Sequence, residues 1–224
     1  MNLLLLPKKT IVKSVSRVAI RLATPRYSAT KRLLDISGAL ILLALSFPLM
    51  LLIALAIGAT SPGPVLFRQT RLCRHGKRFW LFKFRTMVPN AEQQLQVSAD
   101  LRQRFEAGFK IENDPRITSL GAFLRRTSLD ELPQFINVLM GSMSLIGPRP
   151  IVPAELQKYG SSGEKLLTVK PGLGGLWQVS GRSGTTYDER VLLDMEYIDR
   201  SSFALDLSLL VRTAFSVLTC RGSI

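Results

Sequence analysis

The sequence predicts an α+β protein, mostly helical, with an N-terminal amphipathic arm, a re-entrant membrane helical hairpin, a short β-hairpin and a helical cytoplasmic domain. Three observations predict this architecture. Residues 36–67 contain no charged residue and no histidine over 32 positions. Two strand-like segments follow, separated by a polar turn. Gly- and Pro-rich loops then divide most of the remaining sequence into helical segments.

The positive charge lies at one end of the chain. Residues 1–90 contain fifteen Lys/Arg and a single acid, Asp35, whereas residues 91–224 contain fifteen of each sign. The whole net charge of +14 therefore belongs to the first part. Such a surplus is typical of a nucleic-acid-binding surface or of a segment lying against anionic lipid headgroups.

The basic arm, residues 1–30, has the pattern of an amphipathic helix. Lys13, Arg17 and Arg21 lie on one face of a helical wheel. The apolar residues that share the other face are Ile11, Val12, Val15, Val18, Ala19 and Leu22. This pattern predicts a helix in the membrane interface. An organellar transit peptide, which is also Arg-rich and poor in acids, remains the alternative.

The uncharged stretch predicts a membrane segment over residues 31–64. Its core, residues 36–59, would form a helix about 36 Å long, against roughly 30 Å of bilayer hydrocarbon. A buried helix of a soluble core is the less favoured interpretation, since such helices rarely run this long without polar interruption.

Two features favour a re-entrant hairpin over a straight span. Basic residues lie on both sides of the segment, and Lys/Arg-rich flanks are typically cytoplasmic. Pro48, at its centre, removes a backbone hydrogen bond, and the Ser46 hydroxyl could help satisfy the freed backbone. We therefore expect the segment to enter the cytoplasmic leaflet, turn near Pro48 and return. A kinked transmembrane helix is the alternative.

The domain after the membrane segment, residues 65–224, begins with a predicted β-hairpin. Its strands are residues 65–72 and 79–87, around a turn at 74–77 that contains the only histidine, His75. Period-two alternation places Lys83 and Arg85 on one face of the second strand. The helical segments that we predict after it are about 89–107, 118–127, 131–140, 186–198 and 203–218.

The adjacent carboxylates Asp130 and Glu131 are the first candidate for chemistry. They stand where a helix is expected to begin, so two interpretations are open. Ser128 and Glu131 match a capping box, and Asp130 could itself be an N-cap. Alternatively, the helix N-terminus and the nearby Arg125 and Arg126 keep Asp130 ionised and available as a nucleophile.

Two loops are further candidates. In residues 146–150, two prolines restrain the backbone around Arg149, whose planar guanidinium suits phosphate; a structural turn is the alternative. Residues 170–182 are rich in glycine, which permits close approach to a ligand, and contain Trp177 as a stacking surface. They match neither the dinucleotide-binding nor the P-loop fingerprint.

At these residues the sequence resembles a family, the monotopic phosphoglycosyl transferases or bacterial sugar transferases. The resemblance runs from about Lys31 to the C-terminus. The segments that carry it are residues 31–35 (KRLLD), Pro48, 83–87 (KFRTM), 113–118 (NDPRIT), 127–134 (TSLDELPQ), 147–150 (GPRP) and 172–182. Residues 1–30 lie outside the match.

The resemblance implies a reaction. Hexose-1-phosphate, from UDP-galactose or UDP-glucose, would be transferred to undecaprenyl phosphate, the first step of exopolysaccharide or O-antigen assembly. Asp130 would be the nucleophile, and Glu131 would orient the site or, with Asp130, bind Mg²⁺. The residues expected to bind phosphate or lie near the nucleotide are Lys83, Arg85, Arg149, Gln178 and Arg182.

The resemblance also implies a location, the cytoplasmic face of the bacterial inner membrane, with inner-membrane lipid as a partner. A homodimer is left open, as is the choice of hexose. Two other classes remain as alternatives. Basic residues interleaved with Phe67, Phe79 and Trp80 could bind nucleic acid, although this run directly abuts the membrane segment, so we expect no nucleic-acid partner. A non-catalytic membrane scaffold is the other.

Overall fold

The computed structural model describes residues 25–108, 111, 113–180 and 185–219. The protein is mostly helical in these ranges, as the sequence predicts. The α-helices are α1 (Pro25–Thr60), α2 (Ala91–Val97), α3 (Ala99–Gly108), α4 (Ser119–Arg126), α5 (Gln134–Met140), α6 (Gly163–Leu166), α7 (Leu176–Ser180), α8 (Tyr187–Arg200) and α9 (Phe203–Leu218). The predicted amphipathic helix of the arm lies outside the described residues, except that residues 25–30 belong to α1.

Two small sheets accompany the helices. Strands β1 (Leu66–Leu72) and β2 (Arg78–Phe84) form the predicted antiparallel hairpin, joined by a turn in which His75 has φ of 62°. Strands β3 (Ser144–Ile146) and β4 (Gly172–Gly174) pair in parallel. The sequence analysis did not predict this second sheet, because three-residue strands are too short to show alternation.

Helix α1 is one continuous helix of 36 residues with Pro48 in its interior. The expected pair of helices joined by a turn at Pro48 is therefore corrected to a single helix. The Ser46 hydroxyl donates to the Leu42 carbonyl at 2.7 Å, one turn earlier, and not to the Ala44 carbonyl that the proline leaves without its usual partner. The helix nevertheless continues through Pro48 to Thr60.

Helix α1 packs against the same domain on both sides of residues 44–49, a segment that is mostly exposed. Near the N-terminus, Arg32 donates to the carbonyls of Val138 and Leu139 at 2.7 and 2.8 Å. Near the C-terminus, Ile53 and Ile57 are buried against that domain. Leu45, by contrast, is 74% exposed.

Helix α1 is also long and apolar enough to cross a membrane by length and composition. Side chains of this type are stable in lipid and costly in water. The exposed apolar surface of α1 therefore indicates membrane association.

Lys31 joins α1 to α9. Its ammonium donates to Asp206 at 2.8 Å and to the Ile146 carbonyl at 2.9 Å. Tyr27 and Tyr197 donate to the same carboxylate at 2.8 and 2.7 Å. Asp206 is fully buried, and a buried carboxylate needs such partners. This network holds the N-terminal half of α1 against α9 and β3.

The predicted helix boundaries agree with the structure for three helices and differ for two. The helices expected at 118–127, 186–198 and 203–218 correspond to α4, α8 and α9. The helix expected at 89–107 is divided in two at Ser98, which is extended, with φ of −84° and ψ of 112°. The helix expected at 131–140 begins only at Gln134, because a separate 3-10 turn precedes it.

Candidate active site

Asp130 and Glu131 lie in a 3-10 turn, Leu129–Glu131, between α4 and α5. Ser128 directly before them is left-handed, with φ of 58°, and its side chain caps nothing. The capping-box interpretation is therefore wrong. The carboxylates also do not begin a long helix, so the expected helix dipole is not what ionises Asp130. Leu129 and Leu132 anchor the turn in a core cluster, which leaves the two acids facing the hairpin.

Lys83 of β2 lies between the two carboxylates. Its Nζ is 2.7 Å from Glu131 Oε1 and 3.7 Å from Asp130 Oδ2. Lys83 is thus shared unequally, with the direct hydrogen bond to Glu131. Arg149 approaches the same Glu131 oxygen, at 3.9 Å. The sequence prediction that Lys83, Arg149 and the two acids form one site is consistent with this geometry.

The two carboxyls have opposite pKa shifts. Burial raises the pKa of Asp130 above its usual value, against the opposing charges of Lys83 and Arg125. Burial disfavours ionisation of Glu131 too, but Lys83 and Arg149 outweigh it and lower its pKa to about 2. Glu131 is therefore the permanently ionised partner. Asp130 is the more basic carboxylate, which makes it the better nucleophile once ionised.

The loop that carries Arg149 is held by backbone contacts between the two glycine-containing segments. Gly147 N donates to the Gly174 carbonyl at 2.8 Å, and Gly172 N donates to the Pro148 carbonyl at 2.7 Å. A Cβ at Gly172 would lie 2.0 Å from Gly147 N. Glycine is thus required here because two backbones of the protein meet, which differs from the expected close approach to a ligand.

Aromatic and charged side chains lie around Arg149. The Arg149 guanidinium lies 5.9 Å from the ring centre of Trp177, and the Arg190 guanidinium lies 5.0 Å from the same centre. Arg190 in turn approaches Glu155, at 3.7 Å. Arg71 donates to the Pro150 carbonyl at 3.0 Å, directly after Arg149. The Arg149 side chain thus lies between Trp177 and Glu131, and Arg71 restrains the backbone next to it.

The arrangement suits chemistry at a phosphate: a basic carboxylate, a second that stays ionised, and fixed cations beside both. A model of a known family, described as bacterial sugar transferase, matches residues 26–220. The chain belongs to the bacterial sugar transferase family. The resemblance noted in the sequence is thereby confirmed, and the match includes every residue of the site.

Relatives of this sugar transferase family member carry names that specify substrates. The chain is 42% identical over 211 residues to undecaprenyl-phosphate galactose phosphotransferase of Salmonella typhimurium, covering 92% of this chain and 44% of that protein. It is 42% identical over 193 residues to UDP-glucose:undecaprenyl-phosphate glucose-1-phosphate transferase of Escherichia coli K12, covering 83% and 39%. The chain thus spans less than half the length of these two.

A relative of similar length is the exopolysaccharide production protein ExoY of Rhizobium meliloti. It is 40% identical over 197 residues, which cover 86% of this chain and 87% of ExoY. The family is therefore represented both by larger proteins and by proteins of about this size.

The other residues predicted for the site of this family member do not all lie near Asp130 and Glu131. Gln178 lines the same small cleft as Lys83, Glu131 and Arg149, and its amide approaches the Leu173 carbonyl at 3.4 Å. Arg182 lies outside the described residues. Arg85 does not join the carboxylates, since its guanidinium donates to the Ser61 and Pro62 carbonyls after α1.

Three further arginines lie around the site: Arg125, which the sequence analysis placed near Asp130, and Arg71 and Arg190, which it did not propose for the site. Arg125 donates to the Thr86 hydroxyl at 2.9 Å and lies close enough to Asp130 to lower its pKa. Arg71 bonds the Pro150 carbonyl next to Arg149, and Arg190 lies against the same Trp177 ring as Arg149. Phe67 pairs with Lys83 in the hairpin, and Arg71 lies on the same face of β1 as Phe67. The hairpin register could therefore have indicated that Arg71 lies near the site. Arg190 lies on a helix remote in sequence, and no local pattern indicates its position.

The motif at residues 113–118 supports the fold near the site without entering it. Asp114 and Arg116 form a buried pair, with Nη2 2.6 Å and Nε 2.8 Å from the carboxylate oxygens. Burial opposes ionisation of Asp114, but these hydrogen bonds lower its pKa. The pair connects the loop before α4 to the start of α2, where Arg116 also donates to the Ala91 carbonyl.

We expect Asp114→Asn to destabilise the protein by about 3–5 kcal/mol, because it leaves a buried guanidinium without its counter-charge. Thermal unfolding in detergent measures this. The matched control is Asp100→Asn, which breaks an exposed pair with Arg104 and should change stability by at most about 1 kcal/mol. Equal stabilities of the two variants would contradict the structural role of the pair.

Proposed function

We propose that this protein transfers hexose-1-phosphate, galactose or glucose, from a UDP-sugar to undecaprenyl phosphate at the cytoplasmic face of the bacterial inner membrane. The observation that carries the proposal is the Asp130–Glu131 pair with Lys83 between the carboxylates. The names of the relatives support the reaction, and the ExoY name supports a place in exopolysaccharide assembly. O-antigen assembly would use the same first step.

In the first step, an Asp130 oxygen attacks the β-phosphorus of the UDP-sugar. The bond from this phosphorus to the oxygen that bridges the α-phosphate breaks, so UMP leaves and a sugar-phosphoryl-aspartate remains. Two negative groups must approach each other, which is unfavourable without nearby cations. Lys83 and Arg149, at 3.7 Å from Asp130 and 3.9 Å from Glu131, supply fixed positive charge for this approach.

In the second step, a phosphate oxygen of undecaprenyl phosphate attacks the same phosphorus. The bond to Asp130 breaks, the carboxylate is restored, and the sugar leaves on a polyprenyl diphosphate. The unequal contacts of Lys83 favour Asp130 in this role, because the shorter hydrogen bond goes to Glu131 and leaves Asp130 freer to form and break a bond. The two displacements predict ping-pong kinetics.

Magnesium fits the donor set of the site. Mg²⁺ in proteins is bound by one or two carboxylates together with substrate phosphates, and Asp130 and Glu131 offer only oxygen atoms. Within the described ranges, no group of three or more His, Cys, Asp and Glu residues could hold a metal by itself. Asp130 and Glu131 would therefore share the ion with the diphosphate, where it would neutralise phosphate charge.

A re-entrant placement of α1 is part of the proposal. If α1 crossed the bilayer, its two ends would lie on opposite faces. Arg32 and Ile57, at the two ends, both pack on the same domain, which supports having both ends on one side. The exposed centre around Leu45 would then lie in the hydrocarbon of one leaflet. The acceptor phosphate stays in the interface, so a site resting on that surface reaches it without a crossing.

The reaction is tested with membranes that contain the protein, incubated with Mg²⁺, undecaprenyl phosphate and radiolabelled UDP-galactose or UDP-glucose. We expect label from one of the two sugars in the lipid extract. Membranes without the protein are the control. Inertness toward both sugars would contradict the proposed function and favour a non-catalytic scaffold.

A further inference from the structure

Arg85 binds the end of the membrane helix. Its guanidinium donates to the Ser61 carbonyl at 2.7 Å and to the Pro62 carbonyl at 2.8 Å, directly beyond the last residue of α1. Helix C-termini carry partial negative charge and attract cations, yet α1 has no basic residue in its own last turn. Arg85, the residue directly after β2, supplies that cation from another part of the fold.

Residues 61–65, which follow α1, are in close contact with the Arg85 side chain and backbone. Gly63 has φ of +106°, and a Cβ there would lie 2.6 Å from Arg85 Nη1. The Arg85 backbone N–H also donates to the Val65 carbonyl at 2.9 Å. Residues 61–65 therefore contact Arg85 through three carbonyls and one glycine.

The residues before Arg85 continue the connection to the active site. Phe84 is buried in one cluster with Ile53 and Ile57 of α1. Leu129 and Leu132, on either side of the two carboxylates, pack against the same cluster. Lys83 contacts the carboxylates themselves. Three consecutive residues, the last two of β2 and Arg85 directly after it, thus join the end of the membrane helix to the reacting groups.

A direct role of Arg85 in binding phosphate fits this geometry poorly. Both of its terminal nitrogens are occupied by carbonyls, and the residue is only 9% exposed. A ligand would have to displace two charge-assisted hydrogen bonds to reach it.

We propose that Arg85 is a positioning residue for the lipid acceptor. By fixing the end of α1 relative to Lys83 and Asp130, it sets the height of the nucleophile above the lipid surface. The inference rests on the proposed function. The UDP-sugar arrives from water, so its position does not depend on α1, whereas the acceptor phosphate is held at the depth of the membrane interface. The two half-reactions should therefore respond differently when Arg85 is changed.

The experiment separates the half-reactions. Exchange of radiolabelled UMP into the UDP-sugar, measured without acceptor, reports the first half-reaction alone. Transfer of sugar-phosphate to undecaprenyl phosphate in vesicles reports both half-reactions. Arg85→Lys keeps the charge but loses the fork that bridges two carbonyls. Gly63→Ala disturbs the same contact independently, from the other side. Since a displacement of about 1 Å can cost about 100-fold in rate, we expect transfer to fall about 100-fold in both variants, with exchange unchanged.

Arg68→Lys is the matched control, since Arg68 is an exposed arginine of the same hairpin; it should change neither rate. Equal losses of exchange and transfer in a variant that remains folded would overturn the proposal, and so would unchanged transfer in both variants. If Arg85→Lys does not fold, Gly63→Ala decides alone. Absence of exchange in the unmodified protein would instead refute the covalent mechanism, and this proposal with it.

Discussion

Asp130→Asn is expected to reduce transfer by about 10⁴-fold or more, because the amide cannot form the phosphoryl bond. The variant should still associate with membranes, since α1 is untouched. Incubation of the unmodified protein with UDP-sugar, followed by acid quench and mass spectrometry of its peptides, should show a sugar-phosphate adduct on Asp130. The variant should show none.

The stability of the variant separates loss of chemistry from loss of fold. A group with a raised pKa in the folded state contributes stability at low pH that is lost as the pH rises through that pKa. At neutral pH the buried Asp130 charge is therefore a cost, and Asp130→Asn should unfold at a temperature no lower than the unmodified protein. Full activity in the variant, or an adduct on another residue, would remove Asp130 from the mechanism.

Lys83→Met is expected to reduce kcat/KM by about 10²–10³-fold, comparable to removing one preorganised charge donor from an active site. Lys83 lowers the pKa of Asp130, so its removal should raise that pKa further. Asp130 must be ionised to attack, and its ionised fraction falls as the pH drops through the pKa. The acidic limb of the kcat/KM profile should therefore move to higher pH in Lys83→Met.

Lys77→Met is the matched control for this prediction. Lys77 is an exposed lysine in the turn of the same hairpin, so its removal changes the net charge equally without touching the carboxylates. Its rate and pH profile should match those of the unmodified protein. An acidic limb that stays in place in Lys83→Met would show that Lys83 does not set the charge of Asp130.

The sequence predicted the hairpin and the long apolar helix because both depend on local patterns. Period-two alternation indicated the strand with Lys83, and an uncharged run indicated α1. The same alternation placed Lys83 and Arg85 on one face but could not show what each contacts. Lys83 reaches Glu131, 48 residues away, whereas Arg85 turns to the end of α1. The partner of each side chain is a tertiary property.

The turn before Asp130 was interpreted incorrectly for a similar reason. The Ser128–Glu131 spacing matches a capping box, but Ser128 adopts a left-handed conformation that only the surrounding packing can stabilise. The glycines of residues 170–182 were expected to let a ligand approach the backbone, but at Gly172 the close neighbour is the backbone of Gly147. A sequence pattern cannot identify that partner.

The Lys31–Asp206 contact joins residues 175 positions apart, which has a consequence for biogenesis. The ribosome releases α1 early, and Asp206 emerges on the order of ten seconds or more later at typical rates of synthesis. During that interval the ammonium of Lys31 has no counter-ion from α9. The apolar surface of α1 must already be covered by lipid or by a chaperone. Closure of this contact therefore awaits synthesis of residue 206, so nascent chains stalled before it should remain sensitive to protease.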